Sequence, residues 1–546
     1  MQGAPIELPE DPGALRALAL RQHDELDEKS RALGAQQQRV DEQAHQLAEQ
    51  AEQIRQLEEY VRLLKHQRFG RSSERHPEAQ LGLFNEAEVD TDAAEKEDAS
   101  ETLIPAHTRR TRGGRRPLPA WIPRVEILHD LAEAEKVCPA DGTTLERIGE
   151  ESSEQLELIP AQLRVLRHVR PKYACPHCRT GVHVAPMPPQ PIPKSLASPA
   201  LLAHVAVSKY ADGLPLYRQE TMLQRIGIDL PRATLASWMV KTGELVQPLL
   251  NLLRDDLLAG RFVQCDETPF QVLKEPGKPA TSLSYLWAQR GGARDAPILL
   301  YDYDPSRSGE VPRRLLEGFQ GYLQTDGYAG YAAIGSQPGI VHVGCWAHAR
   351  RKFVEATKAL RSTERQARTA KESTALQGLG FFTKLYAIER LAKDASAEER
   401  KQLRDEKSRP VMVAMRGWLE GALPRIAPQS LTGKALGYLH GQWPKLLRVL
   451  DDGRIPLDTN LVENAIRPFV VGRKNWLFSD TVRGAHASAN LYSLIETAKA
   501  NGIEPYAYLR LVFSELPSVT TLEHVEALLP WNVDRANMQA ANAPQG

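Results

Sequence analysis

The sequence predicts a multidomain α+β protein, and three observations lead to that fold class. Apolar residues recur at every seventh position near the N-terminus, which is typical of a long helix with one apolar seam. Cysteines then flank a stretch with strand-like alternation of apolar residues. Further along, strand-like runs are followed by helical patterns, which indicates a mixed sheet covered by helices.

Bulk composition bounds the possible functions. The chain has 546 residues, of which 42% are hydrophobic and 25% are charged, as is ordinary for a globular protein of several domains. Lys+Arg and Asp+Glu both number 69, so contact with nucleic acid has to depend on local basic clusters. Five cysteines, three of them close together, favour a metal site over a disulfide framework. No long apolar run is present, so we expect no membrane partner and a cytoplasmic protein.

Residues 1–75 are predicted to form an N-terminal coiled-coil helix. The apolar seam consists of Leu26, Leu33, Val40, Leu47, Ile54 and Val61. The companion heptad position is polar, as at Lys29 and Gln36, until Leu57 restores an apolar side chain. Because an apolar seam is buried against another helix, we expect a homo-oligomer formed through this segment. A solvated helix, or one packed within the chain, is the alternative.

Residues 76–118 are predicted to be a disordered linker. Glu86 to Glu101 is acidic and poor in apolar residues, so it cannot fold by itself. His107 to Pro117 holds five arginines broken by glycines, which suits contact with DNA phosphates or with a narrow minor groove. The candidate DNA contacts are Arg112, Arg115 and Arg116. A basic run that only aids solubility is the alternative.

Residues 119–185 are predicted to form a zinc-ribbon-like module that binds DNA. The candidate Zn²⁺ ligands are Cys138, Asp141, Cys175 and Cys178. Two pairs of ligands, each three residues apart on either side of a small antiparallel sheet, match a structural zinc site. The intervening sheet is expected to include Val165, Leu166 and Val169. Asp141 stands where a cysteine would complete the set, so a Cys₃Asp site, substitution by His177 or His183, and loss of the metal all stay open.

Residues 195–260 are predicted to contain a helix-turn-helix. Ser198 followed by Pro199 is a helix start signal, and Gly227 separates two further helical runs, Leu216 to Leu223 and Asp229 to Met239. The second helix of such a motif can enter the major groove, which makes Arg232 and Thr234 candidate DNA contacts. A helical hairpin packed beside the core is the alternative.

Residues 261–480 are predicted to form the catalytic core, and three acidic residues mark it. Asp266 ends a short apolar run before an expected turn, and Asp326 ends a second strand-like run before a glycine. Glu463 lies one turn into a helix whose start is signalled by Asp458 or Thr459. Two carboxylates at strand ends can share a metal, and the glutamate supplies a third. For each carboxylate alone, a turn or helix cap is the alternative.

The remainder of the core is predicted to contain more strands and a helical insertion. Leu283 to Gln289 and Pro297 to Tyr303 complete an antiparallel meander with the first strand, and Ile340 to Cys345 leads into a helix. Residues 356–455 form a helical insertion between the second and third carboxylates, and residues 481–546 form C-terminal helices and a tail. The candidate phosphate or base contacts in the core are His348, Arg350, Arg467, Arg473, Lys474 and Trp476.

Three carboxylates from separate elements suit phosphodiester cleavage by paired divalent ions. Mg²⁺ prefers oxygen ligands and keeps exchangeable waters, and two such ions can activate the attacking oxygen and stabilise the leaving oxygen. We therefore expect Asp266, Asp326 and Glu463 to hold two Mg²⁺ or Mn²⁺ ions.

Four blocks of sequence resemble the transposases of bacterial insertion-sequence family sixty-six, TnpC type. The blocks are Cys265–Thr268, Thr325–Tyr328, Gly344–Arg351, and Asn460–Pro468 with Gly472–Phe478. The resemblance implies a ribonuclease-H-like core whose DDE triad is Asp266, Asp326 and Glu463. It also implies double-stranded DNA as partner, at element ends and target, small accessory proteins of the same element, and a bacterial, nucleoid-associated location.

The leading hypothesis is therefore a DDE transposase that nicks element ends to leave a 3′-hydroxyl and transfers that hydroxyl to target DNA. A catalytically inactive DNA-binding regulator of transposition is the alternative, and a resolvase-like nuclease is a third possibility. The presence of all three acidic residues favours an active enzyme.

Overall fold

The computed structural model describes residues 12–69, 163–174, 182–358 and 373–535. The chain divides into two compact units, residues 98–188 and the remainder. Within the described residues, no helix combines the length and the apolar character needed to cross a membrane.

A long N-terminal helix, α1, runs from Pro12 to Phe69, which confirms the predicted helix. The seam residues Leu26, Leu33, Val40 and Leu47 are each more than half exposed. The side chains of Ile54 and Val61 lie outside the described residues. The helix is therefore observed, and its coiled-coil pairing stays a prediction.

The smaller unit contains a two-stranded antiparallel hairpin, β1 (Lys172–Ala174) and β2 (Val182–Val184), with Tyr173 opposite His183. The predicted strand through Val165, Leu166 and Val169 is wrong, because these residues precede β1 in irregular structure and are exposed. An alternating pattern forms a strand only where a neighbouring segment pairs with it. The predicted zinc ligands Cys138, Asp141, Cys175 and Cys178, and the arginines Arg112, Arg115 and Arg116, lie outside the described residues.

Four helices lie between β2 and the main sheet. They are α2 (Pro199–Tyr210), α3 (Leu216–Arg225), α4 (Arg232–Leu245) and α5 (Gln247–Ala259). As predicted, the Ser198 hydroxyl accepts from the Leu201 N–H at 3.2 Å, with Pro199 as the first helical residue. Gly227 adopts φ +84° in the turn between α3 and α4, a conformation that favours glycine. The helix–turn–helix succession is thus present, and its contact with DNA stays a prediction.

Among the described residues, the main sheet has six strands. They are β3 (Phe262–Lys274), β4 (Leu283–Gly292), β5 (Pro297–Asp304), β6 (Gly321–Gln324), β7 (Ile340–Val343) and β8 (Phe478–Thr481). The order is β5-β4-β3-β6-β7, with an antiparallel meander from β3 to β5 and parallel pairing of β3, β6 and β7. β8 pairs in parallel with the far end of β3. The meander confirms the prediction, whereas the four-residue β8 gave no strand signal.

The predicted end of the first strand is wrong. β3 continues through Asp266 to Lys274, so this aspartate lies inside the strand. Pro269 does not turn the chain; it pairs with Tyr285 of β4. Proline is tolerated where one edge of a strand is unpaired, and among the described residues β3 pairs only with β4 between Gln264 and Gln271. We call this stretch the open edge of β3.

Helices surround the sheet and form the insertion. After β5 come α6 (Glu310–Leu315), α7 (Ala332–Gly335), α8 (Trp346–Lys358), α9 (Thr374–Leu391), α10 (Ala397–Leu403), α11 (Arg409–Ala422) and α12 (Leu431–Leu446). The chain ends with α13 (Asn460–Trp476), α14 (Val482–Ala500), α15 (Pro505–Glu515) and α16 (Leu522–Glu526). One hydrophobic core joins the sheet to the helices before and after it, and a second core lies among the helices from α8 to α12.

A buried arginine ties the insertion together. Arg404 is 1% exposed and donates to both carboxylate oxygens of Glu389 at 2.6 and 2.8 Å. It also donates to the Val449 carbonyl at 2.8 Å. These bonds link α9 to the segment that follows α12.

Replacing Arg404 with methionine should lower the free energy of unfolding by about 3–5 kcal/mol, because the Glu389 carboxylate is left without its partner. Arg409→Met is the matched control, since its ion pair with Asp405 is exposed and such pairs contribute about 0–1 kcal/mol. Urea denaturation followed by circular dichroism measures both. Equal stabilities of the two variants would contradict the structural role of Arg404.

Candidate functional site

The parallel pairing of β3 with β6 brings the two aspartates together. Gln264 is opposite Gln324 in the register. Asp266 and Asp326 each follow their glutamine by two residues. Because neighbouring strands lie about 4.8 Å apart, the two aspartates emerge side by side at the open edge of β3.

The same face of β3 lies against α13, the helix that carries Glu463. Arg473 of α13 lies 3.4 Å from the Thr268 hydroxyl, and Phe469 packs edge-on against Phe270 at 5.3 Å. Alternate residues of a strand share a face, so Asp266 points toward α13 together with Thr268 and Phe270. The structure therefore assembles all three predicted carboxylates in one place.

The electrostatics of Asp266 are consistent with this arrangement. Burial, followed by the negative charges of Glu463, Glu267 and Asp326, raises the pKa of Asp266 well above its usual value, and His348 opposes the shift. A partly buried cluster of like charges is unfavourable without a counter-charge. A divalent cation would supply that charge, so this donor set fits a hard metal ion with oxygen ligands.

Glu463 is held in place by its surroundings. It lies in the first turn of α13 and is 4% exposed. The Thr459 hydroxyl donates to Glu463 Oε1 at 2.7 Å, and Arg351 lies 3.7 Å from Oε2. His348 Nδ1 lies 3.6 Å from Oε1. The positive end of the helix dipole also favours a carboxylate here.

Cys345 lies beside this glutamate. Ligand atoms of Cys345, His348 and Glu463 lie within 4.8 Å of one another. Burial, with the nearby charges of Asp458 and Glu463, raises the pKa of the Cys345 thiol to about 12, so the thiol is neutral at pH 7. Cys345 is 2% exposed and lies 3.2 Å from the Thr459 hydroxyl, so it is a buried residue of the core.

A second network fixes the aspartates from the other side, and the sequence analysis missed it. Asp326 Oδ1 accepts from the Tyr328 N–H at 2.9 Å. Glu267 accepts from Arg307 and from the Tyr331 hydroxyl, each at 2.6 Å. The Arg307 guanidinium lies 4.0 Å above the Tyr328 ring. The adjacent acidic residue after Asp266 and the two tyrosines after Asp326 were the available signals.

Of the two predicted DNA contacts on α8, one lies at the carboxylate site and the other lies in the interior. His348 lies next to Glu463, as described above. Arg350 is 5% exposed, so the interior position of its side chain disagrees with the predicted DNA contact. On α8, the neighbour Arg351 reaches the site instead.

The predicted contacts of α13 and α4 lie partly on the surface. Lys474 is exposed, and Arg467 is partly buried. Trp476 is partly buried because its ring packs on Phe469 at 5.3 Å. On α4, Arg232 is exposed at the first helical residue and Thr234 is partly exposed.

Comparison with known protein families decides the identity of this core. The family model described as Transposase IS66 family matches residues 194–487, which include all three carboxylates. The chain belongs to the IS66 family of transposases. The resemblance found in the sequence is therefore confirmed. Three further IS66-type models match: a zinc-finger binding domain of transposase IS66 at residues 135–179, a Transposase C of IS166 homeodomain at 56–127, and an IS66 C-terminal element at 493–531.

Relatives of this IS66 transposase family member occur in Sinorhizobium fredii. Uncharacterized protein y4jD is 37% identical over 427 residues, covering 76% of this chain and 81% of the relative. Uncharacterized protein y4qI is 33% identical over 490 residues, covering 86% and 87%. Uncharacterized protein y4hP is 30% identical over 464 residues, covering 83% of each. These relatives extend the similarity over nearly the whole chain.

Because Asp266→Asn removes one of the clustered negative charges, we expect it to stabilise the protein without metal and to abolish the stabilisation that a metal ion provides. In EDTA, Asp266→Asn should raise the thermal midpoint by roughly 2–4 °C, if removing one of the clustered charges gains about 1 kcal/mol. Mn²⁺ should raise the midpoint of the wild-type IS66 protein and leave that of the variant almost unchanged.

Asp295→Asn is the control, because Asp295 is exposed between β4 and β5. Differential scanning calorimetry measures all three proteins. A Mn²⁺ response retained in Asp266→Asn would show that the carboxylate cluster is not the metal site.

Proposed function

We propose that this IS66 family member is a DNA transposase that binds the ends of its insertion sequence, cleaves one strand and transfers the resulting 3′-hydroxyl to target DNA. The observation that carries the proposal is the convergence of Asp266, Asp326 and Glu463 on one partly buried site. Family membership supports the transposase activity. The DDE triad assignment rests on the geometry of these three residues.

The sheet supports a ribonuclease-H-like core. Three antiparallel strands are followed by two strands parallel to the first, and helices cover the sheet. The first aspartate lies on the central strand, the second follows the neighbouring parallel strand, and the glutamate lies on a later helix. We propose the boundaries 261–480 for this core, with the helical insertion at 356–455.

The carboxylates would hold two Mg²⁺ or Mn²⁺ ions, which supply Lewis-acid activation of the attacking and leaving oxygens of a phosphodiester. Asp266 and Asp326 would serve as shared ligands because they emerge side by side. Glu463 would complete the ligand set of one ion, and the Thr459 hydroxyl would orient its carboxylate. We infer that a DNA strand reaches this site beside the open edge of β3.

Basic and aromatic residues of the core and of the segments before it are proposed DNA contacts. Arg473 and Lys474 lie on the last turn of α13, where they would neutralise phosphates. The remaining proposed contacts are Arg112, Arg115, Arg116, Arg232, Thr234, His348, Arg467 and Trp476. Arg351, found beside Glu463, joins this set in place of the buried Arg350.

We propose that the N-terminal segments bring the transposase to DNA and to its own copies. The match to a zinc-finger domain supports structural zinc, with Cys138, Asp141, Cys175 and Cys178 as its ligands. The exposed seam of α1 supports homo-oligomerisation by a coiled coil. Association with small accessory proteins and with the nucleoid completes the proposal.

Substitution of the triad tests the catalytic assignment. Asp266→Asn, Asp326→Asn and Glu463→Gln should each lower Mn²⁺-dependent cleavage of labelled element ends by at least about 10³-fold, because each removes an ion ligand. End binding in a gel-shift assay should persist in all three. Cleavage by any of them at the rate of the Asp295→Asn control would remove that residue from the triad.

Zinc binding is tested by metal analysis of the purified full-length chain. Atomic spectroscopy should find about one zinc per chain in the wild type and a large loss in Cys175→Ser, because three thiolates suit a structural zinc site. Cys265→Ser is the control, since Cys265 is buried in the main core and distant in sequence from the zinc-finger match. Zinc-free wild-type protein would refute the site.

A further inference from the structure

Two buried glutamines lie directly behind the aspartates. Gln264 on β3 and Gln324 on β6 are both 0% exposed and are opposite each other in the parallel register. The Gln264 side-chain amide donates to Gln324 Oε1 at 2.8 Å. The sequence repeats this arrangement, because each glutamine precedes its aspartate by two residues.

The same amides bind the segment that leads into α13. Gln264 Nε2 also donates to the Asp458 carbonyl at 2.9 Å. Gln324 Nε2 donates to the Pro456 carbonyl at 2.9 Å and lies 3.3 Å from the Gly344 carbonyl. α13 begins at Asn460, so the glutamines hold the chain only a few residues before Glu463.

Backbone carbonyls determine how the two amides are oriented. A carbonyl only accepts hydrogen bonds, so each NH₂ group has to face the 456–458 segment. The Gln324 oxygen must then face Gln264, so Gln264 donates to Gln324 and Gln324 in turn donates to the Pro456 carbonyl. Gln264 Oε1 is left buried, without a hydrogen-bond partner among the described residues. An unpaired buried oxygen is unfavourable for stability, and such departures are expected where a residue serves the site.

Helices α8 and α9 bind the same segment. The backbone N–H of Trp346 donates to the Leu457 carbonyl at 3.0 Å, and the Tyr386 hydroxyl donates to Asp458 Oδ2 at 3.0 Å. Hydrogen bonds from the sheet and from these two helices thus hold the 456–458 segment. The glutamine pair is its link to the strands that carry both aspartates.

We propose that Gln264 and Gln324 are positioning residues that set the distance between Glu463 and the two aspartates. This inference rests on the proposed function, in which the three carboxylates share divalent ions. The pair connects the first and second carboxylates to the third through hydrogen bonds to the backbone. Loss of the pair lets the start of α13 shift, so that Glu463 no longer completes the ion site.

Binding of Mn²⁺ alone to the full-length protein, measured by isothermal titration calorimetry, tests the inference. Gln264→Met keeps the side-chain volume and removes both donated bonds. It should raise the Mn²⁺ dissociation constant roughly 10- to 100-fold, as removal of groups that orient metal ligands does. Gln264→Asn keeps a buried amide but withdraws it by one methylene, so it should weaken binding in the same direction by a smaller factor.

Gln289→Met is the matched control. Gln289 is 1% exposed on β4 of the same sheet. Its side-chain amide donates to Asp302 and accepts from Arg254, and neither partner belongs to the proposed triad. The Gln289→Met variant loses a comparable set of buried hydrogen bonds. Its Mn²⁺ dissociation constant should stay within about twofold of the wild-type value. Thermal midpoints in EDTA show whether the Gln264 and Gln289 variants are equally folded.

A double-mutant cycle shows whether Gln264 affects Mn²⁺ binding through the position of Glu463 or through a general loss of order in the fold. In a Glu463→Gln background, Gln264→Met should change the Mn²⁺ dissociation constant by less than about twofold, because no third carboxylate is left to position. An equally large loss in both backgrounds would overturn the inference. Mn²⁺ affinity of wild-type strength in folded Gln264→Met and Gln264→Asn would also overturn it.

The same titrations distinguish this inference from the proposed function. If wild-type protein binds Mn²⁺ and Asp266→Asn does not, the ion site stands, and the Gln264 variants alone decide the positioning role. If Asp266→Asn binds Mn²⁺ as tightly as the wild type does, the ion site fails and the positioning role fails with it.

Discussion

Repulsion among three carboxylates is the constraint on which this structure depends. Asp266 lies on a strand, Asp326 follows the neighbouring strand and Glu463 lies on a helix, and their charges oppose the assembly that the proposed chemistry needs. Neutral carboxyls would relieve the repulsion but would bind cations poorly. The fold therefore has to hold charged groups together by other bonds until a cation compensates them.

Three features supply that restraint. The parallel register of β3 and β6 fixes the aspartates relative to each other, and the network of Glu267, Arg307 and Tyr331 secures the chain on the side opposite α13. The helix that leads into the insertion also contributes, because α8 presents Arg351 to the glutamate. Rigid elements carry all three groups, and rigid support is what precise ion geometry requires.

The sequence predicted the elements better than their edges. Alternation and cap signals located the meander, the helix after β7 and the start of α13, because local patterns determine these elements. The end of β3 was predicted too early, since an acidic residue and a proline usually end a strand, and here an unpaired edge tolerates both. The strand predicted through Val165 was wrong, since this stretch is irregular and no segment pairs with it within the part of the chain that the structure describes.

Within the site, residue types were easier to predict than partners. The three acidic residues stood out by their place at strand and helix ends, and the structure brings them together. The interior position of Arg350 and the bonds of Gln264 depend on tertiary packing, which a local pattern does not encode. Even so, the repeated Gln-x-Asp spacing was visible in the sequence and would have indicated that both strands support their aspartate alike.

The position of α13 in the chain also affects biosynthesis. Its glutamate is the last of the three acidic groups to leave the ribosome, and it joins the site only after the whole insertion has been made. A nascent or truncated chain that ends before α13 has both aspartates but lacks Glu463, the third proposed ligand. If the chain acts as proposed, such fragments would be poor at cutting the DNA that lies near an actively translated gene, and the order of the elements would delay cleavage until synthesis is nearly complete.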